Sequence, residues 1–140
     1  MPVWAGQPDI TLINIESRET RILASSPAID LDPAWSPDGQ QLAFSSYRTG
    51  DIDVFIVSAD GSGLYNLTHN PAFDYLPIWS PSGRQLAFLS TRSTHSVQSY
   101  QLFLIAAEPD AIARPLDFTY NLINGKPAWL PAKCLLQPLG

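Results

Sequence analysis

Residues 33–44 read PAWSPDGQQLAF and residues 77–88 read PIWSPSGRQLAF, so one motif occurs twice in this chain. The two copies lie 44 residues apart, as Trp35 and Trp79 show, and the same offset relates Leu23 to Leu67. A period of this size, built from short apolar runs and turn residues, is typical of stacked β-units such as propeller blades. The repeat therefore predicts the architecture before any single residue is interpreted.

Each copy of the motif combines a tight turn with a strand. In residues 36–39 the proline presets φ and the glycine accepts the positive φ that such turns need. Leu42 and Phe44 then alternate with small residues, which is the period of a packed strand. Residues 53–58 are apolar on both faces and predict an inner strand, and Asp-Gly at residues 60–61 predicts a hairpin that returns as an outer strand. The unit thus predicts four antiparallel strands, or one propeller blade.

Neither end of the chain coincides with a blade boundary. Residues 9–24 match the outer half of a unit at the same offset of 44, and residues 126–137 resemble the inner half around Trp129, without its Asp-Gly turn. We expect one domain over residues 1–140, an all-β partial β-propeller of four-stranded antiparallel blades. Its predicted parts are a half-blade (9–24), a blade (29–68), a second blade (73–117) and a half-blade (126–137).

Composition limits the classes of partner. The chain has 140 residues, 45% of them hydrophobic, and a net charge of −5, with basic residues that do not cluster. Nucleic acid is therefore not expected as a partner. No apolar run approaches the length of a membrane-spanning helix, so we expect no membrane insertion. The first residues lack the features of a signal peptide, which predicts a cytoplasmic protein for the chain as written.

The extended pattern Pro-x-Trp-Ser-Pro-Asp/Ser-Gly-x-x-Leu-Ala-Phe-x-Ser-x-Arg, at residues 33–48 and 77–92, resembles the PD40, or WD40-like, repeat of TolB-type β-propellers. The resemblance runs from about Asp9 to Trp129. It implies a binding scaffold, since the type member acts in the periplasmic Tol–Pal envelope system. It also implies a periplasmic location if this chain is a fragment of a TolB-like protein.

Two functions of different class follow from this resemblance. The first is a non-catalytic scaffold that binds a protein or peptide of unknown identity. The alternative is an accessory propeller portion of a larger enzyme, such as a prolyl-oligopeptidase-like peptidase or a polysaccharide lyase, whose catalytic residues lie outside this chain. A structural remnant without a present role also fits, because residues 130–133 have lost the turn motif.

The sequence contains no convincing catalytic, cofactor-binding or metal-binding motif. His69 and His95 share no ligand spacing with each other or with the single cysteine, Cys134. Asp53 and Asp60 lack the spacing of a calcium loop and suit hairpin chemistry instead. We therefore expect no enzymatic activity, no cofactor and no metal in this chain.

Partner-binding candidates are aromatic and arginine residues in or beside the loops, where repeat proteins place recognition. Arg48 and Arg92 occupy the same repeat position, and either brace a loop through Asp or backbone carbonyls or present guanidinium groups to a partner. Tyr65 and Phe73 are further aromatic candidates. The main partner-binding set is Tyr47, Arg48, Tyr75, Arg92 and Tyr100.

The repeated residues of the motif are expected to be structural. The tryptophans should pack equivalently between blades, since each aromatic side chain buries about 150–250 Å². This structural set is Trp35, Pro37, Gly39, Phe44, Trp79, Pro81, Gly83, Phe88 and Trp129.

The number of blades predicts incompleteness. Two blades and two half-blades amount to three, whereas propellers close with about four to eight. An open fan would leave apolar faces in water, so either the chain is a fragment of a longer propeller or two copies form a homodimer that closes a six-bladed ring.

Overall fold

The computed structural model describes residues 9–92 and 100–120, and within these ranges the fold is all-β. No helix long and apolar enough to cross a membrane lies in that part of the chain. The strands are β1 (Thr11–Ile13), β2 (Thr20–Ile22), β3 (Asp30–Trp35), β4 (Gln41–Ser46), β5 (Asp53–Ser58), β6 (Tyr65–Asn66), β7 (Asp74–Trp79), β8 (Gln85–Ser90), β9 (Tyr100–Ala106) and β10 (Arg114–Tyr120).

The strands form three antiparallel sheets in which each strand pairs with its neighbour in sequence. β1 and β2 form a hairpin, β3 to β6 form one four-stranded sheet, and β7 to β10 form another. The predicted all-β fold of four-stranded antiparallel units is confirmed. β10 continues to Tyr120, beyond the predicted limit at residue 117. The predicted half-blade at residues 126–137 lies outside the described residues.

The two four-stranded sheets radiate from their first strands. β3 and β4 both contact β7, whereas the described parts of β6 and β10 do not touch each other. Sheets that converge at their first strands and diverge at their last ones have the arrangement of successive propeller blades.

The turn of the motif has the same geometry in both sheets. The amide of Gly39 donates to the carbonyl of Ser36 at 2.9 Å, and the amide of Gly83 donates to that of Ser80 at the same distance. The glycines have φ of 71° and 70°, a backbone region that residues with a Cβ enter at a cost. The turn chemistry in the sequence therefore accounts for both β3–β4 and β7–β8 connections.

Apolar side chains fill the spaces between successive sheets. One cluster joins Val54 and Ile56 of the first sheet to Phe88 and Phe103 of the second. Another joins the hairpin, through Ile10, Leu23 and Ala24, to the opposite face of the first sheet. The first sheet thus packs on both faces, which explains why β5 is apolar on both sides.

The two repeated tryptophans differ in burial. Trp79 is 6% exposed, and its indole Nε1 donates to the carbonyl of Ala34 in the preceding sheet at 2.9 Å. Trp35 is 46% exposed. The reason is that the sheet preceding Trp35 consists of β1 and β2 alone in the described part of the chain. Among the described residues, Trp35 therefore lacks the inner strands against which Trp79 packs. The repeat predicted equivalent surroundings for the two tryptophans, and that prediction is wrong.

Candidate protein-interaction surface

Tyr47, Tyr75 and Tyr100 lie at the same end of the two sheets, and we call this set the tyrosine rim. Tyr47 directly follows β4, Tyr75 is the second residue of β7, and Tyr100 begins β9. β4 ends where β3 begins, because Ser46 pairs with Asp30, and the same antiparallel order holds in the second sheet. Antiparallel pairing therefore places these three candidates on one side of the molecule.

The rim combines a tyrosine pair with an exposed ring. The rings of Tyr75 and Tyr100 meet edge to face, with centroids 5.0 Å apart and an interplanar angle of 76°. Tyr47 is 41% exposed. Burial, a hydrogen bond with Tyr100 and the nearby charge of Asp32 raise the pKa of Tyr75. The raised pKa keeps the Tyr75 hydroxyl protonated, and able to donate a hydrogen bond, to higher pH than in an ordinary tyrosine.

Asp32 reaches this region because of a bulge that the sequence analysis missed. The β3–β4 register shifts between Leu31 and Ala34, and Asp32 has a φ of 52°. β7 has the matching bulge, with Leu76 at a φ of 54°. The available signal was the proline within each strand, Pro33 and Pro77, since proline in a sheet is confined to edge strands, strand starts and bulges. Bulges of this kind commonly re-aim side chains beside functional sites.

Arg48 makes most of its contacts within its own sheet, and its guanidinium also donates to the carbonyl of Ala24, beside the hairpin, at 3.2 Å. Its guanidinium forms an ion pair with the buried Asp30 at 2.9 Å, and its Nε donates to Ser46 Oγ at 2.9 Å. It also lies over the rings of Phe44 and Phe55, 5.2 and 5.0 Å from their centroids. Such cation–π contacts add to the ion pair because the group is largely shielded from water.

Arg92 repeats this arrangement in the second sheet. It pairs with the buried Asp74 at 2.6 Å, donates to Ser90 Oγ at 3.0 Å, and lies over Phe88 and Phe103. Both guanidinium groups are thus already paired with buried aspartates. A partner that bound either arginine would have to compete with its ion pair. The sequence carried a signal for the two acids, since Asp30 and Asp74 are themselves 44 residues apart.

A polar network fixes the connection between the two sheets at the same end. The Asn70 side-chain amide donates to Asp74 Oδ2, and its backbone amide donates to Asp53 Oδ1 at 3.4 Å. Thr68 Oγ1 donates to the same Asp53 oxygen at 3.1 Å. The Asp74 backbone amide donates to the carbonyl of Ile52 at 2.8 Å. This network fixes the start of β7, and therefore Tyr75, relative to the first four-stranded sheet.

The other two aromatic candidates differ in position, since Phe73 precedes β7 at the rim end of the second sheet and Tyr65 lies away from it. Tyr65 packs against the cluster between the two four-stranded sheets, and burial, then the charge of Glu108, raises its pKa. Phe73 is partly buried, and its backbone amide donates to Thr91 Oγ1 at 3.1 Å. The structure therefore brings together the tyrosines of the rim and separates Tyr65 from them.

Side chains that could ligate a metal are dispersed in the described part of the chain. Within residues 9–92 and 100–120, no group of three or more His, Cys, Asp or Glu side chains is placed to hold a metal ion. Asp60 accepts hydrogen bonds from the hydroxyl and amide of Ser62 in its own hairpin, which lower the pKa of its carboxyl. His95, Trp129 and Cys134 lie outside the described residues.

Comparison with known proteins agrees with the repeat. Residues 3–133 match the sequence profile of the TolB beta propeller domain. This chain belongs to that family. Over 50 residues it is 56% identical to the Tol-Pal system protein TolB of Syntrophus aciditrophicus (strain SB), a match that covers 36% of this chain and 11% of that protein. Over 54 residues it is 43% identical to the protein TolB homolog of Chlorobium luteolum, covering 39% and 12%.

Solved structures of the TolB family share the fold. A putative TolB from Agrobacterium tumefaciens superposes with a TM-score of 0.71 at 26% identity, covering 81% of this chain and 42% of that one. TolB from Acinetobacter baumannii gives a TM-score of 0.67 at 20% identity, covering 80% and 27%, and shows the fold alone. These matches span less than half of either solved structure, and those to the curated relatives span 11% and 12% of their length.

Proposed function

We propose that this TolB-family chain is a non-catalytic interaction module that binds a protein or peptide on its tyrosine rim. The single observation that carries the proposal is the convergence of Tyr47, Tyr75 and Tyr100 on one end of the sheets. Tyrosine is enriched among the residues that dominate binding energy, since it offers a rigid apolar ring and a polar tip.

The rim is built to keep its shape without a partner. Edge-to-face packing fixes the Tyr75 and Tyr100 rings, and the ion pairs of Arg48 and Arg92 hold the strand ends beneath them. Side chains that are ordered in advance lose less conformational entropy on binding. The exposed ring of Tyr47 adds apolar area beside them.

The relatives suggest a class of partner. Two curated relatives are named Tol-Pal system proteins, so we propose a component of a Tol-Pal system as the partner of this chain. Pal is the component that this name identifies, and the Pal protein of the same organism is the probe for a first test.

Isothermal titration of the full chain with purified Pal tests the rim. We expect Tyr100→Ala and Tyr47→Ala each to weaken binding by about 5- to 30-fold, the range of a contact residue that costs about 1–2 kcal/mol. Ile112→Ala is the matched control, since Ile112 is 91% exposed and lies in the β9–β10 connection. Unchanged affinity in both tyrosine variants would contradict binding at the rim.

Thermal unfolding of the same variants separates binding from folding. We expect Tyr47→Ala to unfold close to the wild type, and Tyr100→Ala, whose ring packs on Tyr75 and on the cluster around Leu89, to lose less stability than Trp79→Ala. If Tyr100→Ala lost as much stability as Trp79→Ala, Tyr100 would be a core residue and its effect on binding would carry no weight.

We also propose that two copies of this chain associate as a homodimer, which would complete a six-bladed ring. The half-exposed Trp35 beside a two-stranded sheet supports this proposal, because an apolar blade face is left open there. Light scattering on the eluting protein tests it, and a mass twice the 15.4 kDa of one chain is expected. A stable monomer at high protein concentration would contradict it.

A further inference from the structure

We infer that the cleft between β3 and β7 binds a lysine or arginine side chain of the protein that docks on the tyrosine rim, and that the Asp32 carboxylate pairs with its positive charge. The inference rests on the proposed function, because it names the chemistry that the rim would recognise in its partner. Charge complementarity between the cleft and a basic side chain is the argument for it.

The cleft lies between the first strands of the two four-stranded sheets. It has a volume of about 350 Å³, and Asp32 is the one charged residue among the described residues that line it. The other lining residues are apolar, among them Pro33 of β3 and Leu76 and Pro77 of β7. Walls of this kind suit the aliphatic stem of a long basic side chain, whose charged end needs a separate partner.

Asp32 lies at the rim end of the cleft. β3 begins at Asp30, and the amide of Tyr47 donates to the carbonyl of Ile29, just before that strand, at 3.2 Å. Burial is the main cause of the raised pKa of Tyr75, and the charge of Asp32 adds to it, so this charge acts on a hydroxyl of the rim. A side chain that reaches Asp32 would therefore belong to a protein that covers the tyrosines.

The Asp32 carboxylate makes no hydrogen bond or ion pair with the described residues. Arg48 and Arg92, the arginines at this end of the described structure, are already paired with Asp30 and Asp74. The negative charge in the cleft is thus left for a cation from outside that part of the chain.

The fold of the blade does not require an acid at this position. Leu76 aligns with Asp32 at the offset of 44 residues, and the two occupy matching bulges with φ of 54° and 52°. Because a leucine builds the bulge in the second sheet, a carboxylate is not needed to build it in the first.

The charge at this end of the sheets also favours a basic partner. The described residues at or beside the strand ends here include six aspartates and two arginines, namely Asp9, Asp30, Asp32, Asp51, Asp53 and Asp74 against Arg48 and Arg92. An excess of negative charge attracts a positively charged surface and raises its rate of association.

Other occupants match the cleft less well. An apolar side chain would cover the Asp32 carboxylate without pairing it, and an unpaired charge is costly to remove from water. A divalent cation such as calcium takes about six to eight oxygen ligands, and no group of three or more His, Cys, Asp or Glu side chains lies within residues 9–92 and 100–120. A basic side chain supplies both an apolar stem and a charge.

Small probes test the cleft without a protein partner. Nα-acetyl-lysine N-methylamide and Nα-acetyl-norleucine N-methylamide share an aliphatic stem, but the lysine probe alone carries a charge. We expect the lysine probe or its arginine analogue to shift the NMR amide signals of Asp32 and Leu76 in the isotope-labelled full chain, with a dissociation constant on the order of 1–10 mM. The norleucine probe should bind at least about 5-fold more weakly. If neither basic probe shifted these signals, the inference would be wrong.

A charge-removing variant tests the role of Asp32. Asp32→Asn keeps the shape of the side chain, and asparagine also enters the backbone region of this bulge. We expect it to weaken binding of the basic probe by about 5-fold or more and to leave the norleucine probe unchanged. Asp51→Asn is the matched control, since Asp51 is also partly buried and lies in the β4–β5 connection at the same end. Equal losses in both variants would mean a general effect of charge and would overturn a site at Asp32.

Titration of the same variants with Pal separates this inference from the proposed function. We expect Asp32→Asn to weaken Pal binding on the order of 10-fold, the range for a hydrogen bond to a charged group, and Asp51→Asn to change it by less than about 2-fold. If Tyr47→Ala and Tyr100→Ala weakened Pal binding but Asp32→Asn did not, the inference would be wrong while binding at the rim stands. If Pal did not bind but a basic probe bound at Asp32, the cation site would stand and Pal would be the wrong partner.

Discussion

Trp79 and Trp35 hold the same place in two copies of one motif, yet the first is buried and the second is half exposed. Their own strands and turns have matching geometry, so the difference comes from the sheet that precedes each one. Trp79 packs on a complete four-stranded sheet and bonds to Ala34, whereas Trp35 faces a two-stranded hairpin. In this chain the stabilising value of the motif tryptophan therefore depends on the neighbouring blade.

Replacing each tryptophan by alanine should produce the largest difference between these regions. We expect Trp79→Ala to lower the free energy of unfolding by about 3–5 kcal/mol, the usual cost of emptying a large buried aromatic site. Trp35→Ala should cost about 1 kcal/mol, because half of that ring already contacts water. Urea unfolding followed by circular dichroism, in protein dilute enough to be monomeric, measures both.

The same two variants also test whether the exposed face of Trp35 is covered in solution. Equal losses in dilute protein would mean that the chain's own residues bury Trp35 in solution. A loss for Trp35→Ala that grows with protein concentration, while that of Trp79→Ala does not, would agree with burial of Trp35 by a second copy.

The sequence predicted what is local and periodic. Strand alternation at Leu42 and Phe44 and the turn at Gly39 are short-range properties, and the structure places them as expected. The offset of 44 residues was enough to predict two four-stranded sheets. These features depend on the backbone and on side chains near in sequence, so one chain suffices to infer them.

Contacts between residues far apart in the chain could not be predicted from the sequence. The motif around Trp35 gives no sign of its exposure, because burial there depends on strands far away in sequence. Tyr65 looked like a loop aromatic but packs between the sheets, since the neighbouring sheet covers it. The bulge at Asp32 depends on pairing register, which a linear pattern shows poorly.

The two buried acids below the rim, Asp30 and Asp74, differ in their hydrogen bonds. Both oxygens of Asp30 accept from Arg48, but Asp74 Oδ1 is buried without a hydrogen-bond partner in the described structure. Burial is the main cause that raises the pKa of Asp74 above its ordinary value of 3.8. The folded state therefore binds a proton at Asp74 more readily than the unfolded state does.

This difference predicts a pH dependence that Asp74→Asn removes. The stabilising contribution of the Asp74 proton is fully present below about pH 3.8 and is lost as pH rises through the raised pKa of the folded state. Relative to Asp74→Asn, the wild type should therefore become less stable as pH increases across that window. Urea unfolding at a series of pH values measures the difference between the two proteins.

Asp38→Asn provides a control of opposite sign. A hydrogen bond from Ser36 is the main cause that lowers the pKa of Asp38, so its stabilising contribution is lost as pH falls. If the two variants shifted in the same direction with pH, the assignment of the Asp74 effect to burial would be wrong.

The smallest expected effect is on the attachment of the β1–β2 hairpin to the first four-stranded sheet. Arg21 of β2 donates to the carbonyl of Ala59, whereas Tyr65, its equivalent in the complete blade, packs on an apolar cluster. Because the Arg21 contact is exposed, Arg21→Ala should change global unfolding by less than about 0.5 kcal/mol. Its effect should appear locally, as about 2-fold faster exchange of the Leu23 amide, which bonds to the Ile10 carbonyl at 2.9 Å.

Hydrogen exchange measured residue by residue decides how independent the hairpin is. Exchange at Val57 in β5 should not change in Arg21→Ala, and Arg84→Ala, which removes an exposed arginine from the β7–β8 connection, should leave Leu23 unaffected. Faster exchange at both Leu23 and Val57 would mean that the hairpin and the first four-stranded sheet open together. The half-blade would then be an integral part of the adjoining blade, held by Ile10 and Leu23 in the shared apolar cluster, and the arginine would contribute little to its docking.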